Sequence, residues 1–208
     1  MLKLIHASAW RILATLLLSF ATSAAFAQQT AEPAARVKSF YATLLETMKE
    51  AKRLGVEGRY KKLAPAIAAA FDLPAMTRIA VGPTWTTLSP EQQGAIVSAF
   101  TRMTSATYAS RFDGYDGERF VVDPKVAERG ADRVVNTRLI PGSGEPVVLN
   151  YLVRSSGGDW RIVDVYLSGT ISELATRRSE FASILKSGGA DALIKTLRER
   201  GDKLLAGS

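Results

Sequence analysis

The stretch Trp160–Phe181, W-R-I-V-D-V-Y-L-S-G-T-I-S-E-L-A-T-R-R-S-E-F, decides how the chain is read. Its opening run, Trp160 to Leu167, is dense in β-branched and aromatic residues, which suit a pleated, half-buried strand. Val163, Val165 and Leu167 share one face of that strand; Trp160, Ile162 and Tyr166 share the other, interrupted by Asp164. A strand apolar on both faces needs cover on both, which places it centrally in a sheet. Ser168-Gly169-Thr170 ends the alternation. From Ile171 the apolar period becomes helical, through Leu174, Ala175, Phe181, Ile184 and Leu185, with Thr170 or Ser172 as N-cap. A strand feeding a helix in this way can form a wall and a lid.

Upstream of this stretch the period is two. Strands are predicted over Arg119–Val122, Arg133–Ile140 and Val147–Arg154, with a short one at Val126–Arg129. Pro141-Gly142-Ser143-Gly144 and Ser155-Ser156-Gly157-Gly158 are hairpin connections, so consecutive strands should pair antiparallel. Further upstream the pattern is helical. A helix over 35–53 carries Val37, Tyr41, Leu44, Leu45 and Met48 inward and ends at Gly55. A second, from Gly58, carries Tyr60, Leu63 and Ile67, with a break at Pro65. A third is capped by Asp72, turns Met76, Ile79 and Ala80 inward and stops at Gly82-Pro83. Ser89-Pro90-Glu91-Gln92 is a capping box with Pro at the first helical position; its helix carries Ile96, Ala99, Phe100, Met103 and Ala106 to about Ser110. Beyond the opening stretch, Gly188-Gly189 ends one helix and Asp191 caps a last one bearing Leu193, Ile194 and Leu197. Helices, then an antiparallel meander, then helices define an α+β domain.

The N-terminus reads differently. Lys3, His6 and Arg11 precede an apolar run from Ile12 to Phe20, and Ala25-Phe26-Ala27 is a cleavage signal. Residues 12–27 fall short of the roughly 18–20 that a spanning helix needs. The expectation is a signal peptide over 1–27, a flexible N-terminus over 28–34 and a single domain over 35–208. Export to a periplasm follows, with a soluble mature protein, since the chain has no Cys for a lipid anchor. The formal charge of +7 becomes +5 once Lys3 and Arg11 are removed.

The only His is His6. A mature chain without His or Cys excludes Ser-His-Asp and Cys-His nucleophiles, His/Cys zinc sites and imidazole acid–base catalysis. What remains is carboxylate-pair, Lys or Tyr chemistry, or no chemistry at all; the expectation is no catalytic residue, metal or cofactor, nor nucleic acid, since the chain has no basic cluster. Asp164 is the sharpest polar residue, and a buried carboxylate must be paired or hydrogen-bonded. It reads as structural.

Several of these residues resemble a known family. Phe71-Asp72, Gly82-x-x-Trp85, the Leu88–Gln92 run, Phe100 and Tyr108 are similar to the helical half of the MlaC, or toluene-tolerance, family of periplasmic lipid carriers. Trp160–Val165, Gly169 and Arg178-x-x-Phe181 are similar to its sheet-to-helix half. F-D-L-P-A-M-T-R-I-A-V-G and T-I-S-E-L-A-T-R-R-S-E-F look most like the hopanoid-biosynthesis-associated HpnM branch. One departure is Val163, where many carriers have Tyr.

The resemblance implies an NTF2-like fold: a twisted antiparallel sheet of four or five strands, packed with N- and C-terminal helices around an apolar cavity. It implies a lipid ligand, phospholipid or hopanoid, shuttled between the inner and outer membranes without chemistry. The implied partners are an inner-membrane transporter and an outer-membrane acceptor, with transient membrane contact. Cavity candidates are Met76, Ile79, Phe100, Met103, Leu149, Tyr151, Val163, Val165 and Leu167; the pattern alone equally fits a solid core. Arg78, Arg102, Arg111, Arg177 and Arg178 are candidates for a headgroup or acidic partner, or for a solvated basic face. Arg178 could instead pair with Asp164. Energetics demand enclosure: two acyl chains carry about 30 methylenes, which cost about 24 kcal/mol in water. The rival readings are an enzyme of lipid metabolism using carboxylates or Tyr, and an adaptor subunit of a membrane transporter.

Overall fold

The computed structural model describes residues 32–207. The signal peptide expected over 1–27 lies outside them. Five helices and a five-stranded antiparallel sheet follow in chain order: α1 (Pro33–Lys49), α2 (Ala51–Ala70), α3 (Leu73–Val81), α4 (Pro90–Arg111), β1 (Arg119–Arg129), β2 (Asp132–Ile140), β3 (Val147–Ser156), β4 (Asp159–Leu167), β5 (Ile171–Ser172) and α5 (Glu173–Leu205). The sheet order is β1-β2-β3-β4-β5. This is the α+β meander that the periodicity predicts.

The helices start where the capping signals stand. The Asp72 carboxylate accepts from the Ala75 amide at 3.0 Å, and Ser89 and Gln92 form the reciprocal capping box. Pro33 begins α1, two residues before the expected start, and Pro33 and Ala34 are already buried. Two glycines interrupt the helical path where expected. Gly55, within the span of α2, separates two helices at φ 60° and ψ 178°, and Gly189 does the same within α5 at φ 69° and ψ −164°. These dihedrals are open essentially only to glycine. Pro65, in contrast, does not break α2. It is exposed, as is Lys61 four residues before it, so water can satisfy the carbonyl that Pro65 leaves free.

The sheet corrects the reading of the opening stretch. β4 is not central but penultimate, with only the two-residue β5 beyond it. The rest of its outer edge meets the start of α3, where the Asp72 amide donates to the Ile162 carbonyl at 2.9 Å. Its two-faced apolar pattern comes from a bulge. Pairing runs Leu152↔Asp164, then Val153↔Ile162, leaving Val163 with no opposite residue. The extra residue reverses the phase. Val165 and Leu167 share the helix-facing side with Tyr151 and Leu149 opposite; beyond the bulge Ile162 and Trp160 take that side instead.

The core lies between this face and the helices. Phe40 of α1 meets Phe71 and Tyr108 edge-on, at ring separations of 5.2 and 5.3 Å. Tyr41 stacks on Phe120 of β1 at 4.2 Å. Phe100 of α4 meets Phe181 of α5 edge-on at 5.9 Å. These contacts fasten α1 to the sheet and α4 to α5. Asp164, buried at the bulge, accepts from the Ser172 hydroxyl at 2.6 Å and from the amides of Val165 and Leu174 at 2.8 and 3.1 Å. Leu174 is in the first turn of α5, so this carboxylate fixes where the helix leaves the sheet. The partner is backbone and hydroxyl, not Arg178.

Candidate functional site

A cavity of about 150 Å³ lies between α4, the start of α5 and the helix-facing side of β3 and β4. Phe71 of the α2–α3 junction and Met76 of α3 close its inner end. The α4 wall is one helical face: Phe100, Met103, Thr104, Thr107, Tyr108 and Arg111, at offsets of three, four, seven, eight and eleven. Leu149 and Tyr151 of β3 and Val165 and Leu167 of β4 form the facing wall. Glu173, Leu174 and Arg177 bring in the first turns of α5, and Phe112 follows the end of α4. Exposure grades along this lining, from buried Phe71, Phe100 and Tyr151 through half-buried Leu149, Leu167 and Phe112 to exposed Arg111. The opening is therefore at the C-terminal end of α4, beside the start of α5.

Seven of the nine expected cavity residues line it: Met76, Phe100, Met103, Leu149, Tyr151, Val165 and Leu167. Ile79 does not; it packs half-buried against the core. Val163 does not either, because the bulge takes it out of the phase of Val165; it is buried outside the cavity. Of the arginines, Arg111 and Arg177 reach the cavity. Arg78 is exposed and apart from it. Arg178 lies over Gly82, its Nε 3.4 Å from where a Cβ would stand. Arg102 bridges α4 to Asp202 of α5 at 2.8 Å and faces the Tyr60 ring at 5.7 Å.

Sequence reasoning missed Phe71, Thr104, Thr107, Tyr108, Phe112, Glu173 and Leu174. The α4 members were available as a continuation of the Phe100–Met103 spacing. Two threonines concealed it, yet Thr107 satisfies its hydroxyl on the Met103 carbonyl at 2.8 Å and needs no other partner.

Electrostatics divide the cavity into a charged rim and a neutral interior. At the rim, Arg177 is braced by Glu180 at 3.1 Å and Glu173 at 3.8 Å. Burial pushes the Glu180 carboxyl up, but Arg200 and Arg177 together hold it below the ordinary carboxylate range. In the core behind the inner wall, burial pushes the Tyr41 phenol up to about 12, against the pull of Thr137 and Tyr151 beside it. Burial likewise raises Tyr108 and, with the neighbouring Tyr108 and Tyr41 phenols adding to it, Tyr151. These phenols stay protonated at neutral pH, so none offers a base. Asp164 is engaged by its three donors. Among the described residues no group of three or more His, Cys, Asp or Glu side chains is placed to hold a metal. No helix among them is long and apolar enough to cross a membrane.

Fold and site define an α+β domain with a cavity for an apolar molecule and cations at its mouth. The MlaC protein family matches residues 38–199. The chain belongs to the MlaC family. It is 27% identical over 110 residues to a toluene tolerance protein, ttg2D, of Pseudomonas putida, a match covering 52% of this chain and 50% of that relative. The chain thus matches about half the length of this relative. Among solved structures it is similar to a phospholipid-binding protein from Ralstonia solanacearum, determined in complex with a phospholipid. That likeness has a TM-score of 0.73 at 28% identity and covers 84% of this chain and 99% of the other.

Proposed function

We infer that this protein is a periplasmic carrier that takes up the hydrocarbon part of a membrane lipid and moves it between the inner and outer membranes without chemical change. The observation that carries this reading is the cavity, with buried aromatic, Met and aliphatic walls and Arg111 and Arg177 at the mouth. The similar Ralstonia protein binds a phospholipid, which supports the same class of cargo here. The cargo is a phospholipid or, following the resemblance to the hopanoid-associated branch, a hopanoid. In this reading residues 1–27 are removed on export, and 35–208 act as one lipid-binding domain. An inner-membrane transporter and an outer-membrane acceptor are the partners. Ile171, 57% exposed and two residues from Glu173, suits brief contact of the mouth with a bilayer.

The volume sets a condition. An apolar cavity of about 150 Å³ takes a molecule of about the size of benzene. Two acyl tails are far larger, so uptake requires the walls to part. In this reading the walls part at the mouth, where α5 is joined to the sheet through Asp164 and Ser172.

The test is transfer of a fluorescent phospholipid from donor to acceptor vesicles by the purified chain. Val165→Phe, which puts a ring into the cavity, should slow transfer by about tenfold, the equivalent of about 1.4 kcal/mol. Transfer at the protein-free rate by the unaltered chain would remove the carrier reading.

A further inference from the structure

Apolar walls account for a lipid's tails, but not for the charges at the opening. Three charged side chains line the cavity: Arg111, the last residue of α4, and Glu173 and Arg177 in the first turns of α5. Arg177 is spent within its own helix. Its guanidinium donates to Glu180 at 3.1 Å and stands 3.8 Å from Glu173, and Glu180 is shared with Arg200. Arg111 is exposed at the lip, and among the described residues no carboxylate pairs with it. Glu173 is also underused: among the described residues it accepts no hydrogen bond, and its one ion pair is the long contact to Arg177. Arg111 and Glu173 stand on different walls of one opening, and no ion pair joins them. Each sign suits its own helix, a cation in the last turn of α4 and an anion in the first turn of α5. That role requires neither side chain to line the cavity, and both do.

From this arrangement we propose that the mouth is a subsite for a zwitterionic headgroup, with Arg111 holding its phosphate and Glu173 its ammonium. The proposal rests on the carrier reading above and names the headgroup class that this carrier prefers. A guanidinium offers a phosphate parallel N–H donors, and a carboxylate accepts from an ammonium that has N–H groups to give. In phosphoethanolamine a short carbon link joins the two charges, so one headgroup can reach both walls. An anionic headgroup without an ammonium satisfies Arg111 but sets its charge beside Glu173 with nothing to offset the repulsion. A quaternary ammonium keeps the charge and loses the N–H donors. The expected order of preference is phosphoethanolamine, then phosphocholine, then phosphoglycerol.

The experiment measures displacement of a bound fluorescent fatty acid by palmitoyl lysolipids bearing phosphoethanolamine, phosphocholine or phosphoglycerol, each kept below its micelle-forming concentration. Each is titrated into the unaltered protein, into Glu173→Gln and into Arg111→Gln. The phosphoethanolamine lipid should bind the unaltered protein about fivefold more tightly than the phosphoglycerol lipid, as expected for one exposed ion pair. Glu173→Gln should remove that preference, and Arg111→Gln should weaken all three lipids by about fivefold. Thermal unfolding of the variants runs alongside. A lower Tm with the headgroup order unchanged would assign both residues to their helix ends alone and refute the subsite. Equal binding of the three lipids to the unaltered protein, or a preference for the phosphoglycerol lipid, would also refute it while the carrier stands. Displacement by free phosphoethanolamine as effective as by its lysolipid would make the site one for a soluble compound and overturn the headgroup assignment. If no lysolipid displaces the probe, the carrier reading fails and the subsite falls with it.

Discussion

Asp164 shows how one carboxylate sets the position of a helix. Its two oxygens serve two amides and a hydroxyl, and two of those donors belong to the β5–α5 corner. Asp164→Ala leaves three buried donors unpaired and should cost about 3 kcal/mol in urea unfolding. Asp164→Asn should cost about 1 kcal/mol, because its oxygen still serves the amides and its NH₂ can donate to Ser172. Equal costs for the two would mean that the charge, not the hydrogen bonds, fixes the corner. Arg59 does a similar task elsewhere. Only 7% exposed, it donates to the Ala109 carbonyl at 2.7 Å and the Ala51 carbonyl at 3.1 Å. It ties the end of α4 to the start of α2, and no periodicity in the sequence marks it. Asp164 was legible as a structural residue because a charge in an apolar strand must be satisfied. Its partners were not, because backbone amides leave no trace in residue types.

At the scale of the element, local chemistry was read well, the helix breaks at Gly55 and Gly189 included, while Pro65 and the strand bulge were not. The Ser89–Gln92 capping box and the Asp72 cap are interactions within three residues, so the sequence contains both partners. Pro65 departs from its expected role for a tertiary reason. Leu63, Ile67 and Ala70 are buried and hold α2 helical through the proline, while Gly55 takes a backbone shape that no other residue shares comfortably. Pro65→Ala should therefore stabilise the protein by about 2 kcal/mol, the helix-propensity gain less the lost stiffness of the unfolded chain. Gly189→Ala, at φ 69°, should destabilise by about 1–3 kcal/mol without any clash, since nothing lies within 4 Å of the added carbon. Thermal and urea unfolding of the two variants checks both signs; a stabilising Gly189→Ala would contradict the kink. The β4 bulge was not legible. One unpaired residue moves Val163 out of the cavity and brings Ile162 into the core, and alternation counted from either end cannot reveal it.

For the molecule as a whole, the buried phenols set an alkaline limit. Unfolded tyrosines lose their protons near pH 10, whereas the folded chain holds the Tyr41 proton to about 12 and raises Tyr108 and Tyr151 as well. Below pH 10 both states keep these protons and their contribution is complete. Above it the unfolded chain binds fewer protons, so stability falls as pH rises through the folded values. Tyr41 alone accounts for a loss of about 3 kcal/mol between pH 10 and 12, at about 1.4 kcal/mol per pH unit. Tyr41→Phe should flatten the slope by about one proton, read from urea unfolding at a series of pH values. A flat profile over that range would contradict the burial of these hydroxyls.

Tyr108 and Tyr151, the methionines of α3 and α4 and the two-strand wall enclose the space on which the functional reading depends. Its most direct test is to extract the purified, natively folded chain with organic solvent and quantify what is released by mass spectrometry. The account predicts a membrane lipid at close to one molecule per chain, strongly reduced in Val165→Phe. A chain that yields no lipid, and takes none up when incubated with vesicles of its own host's membrane lipids, would contradict it.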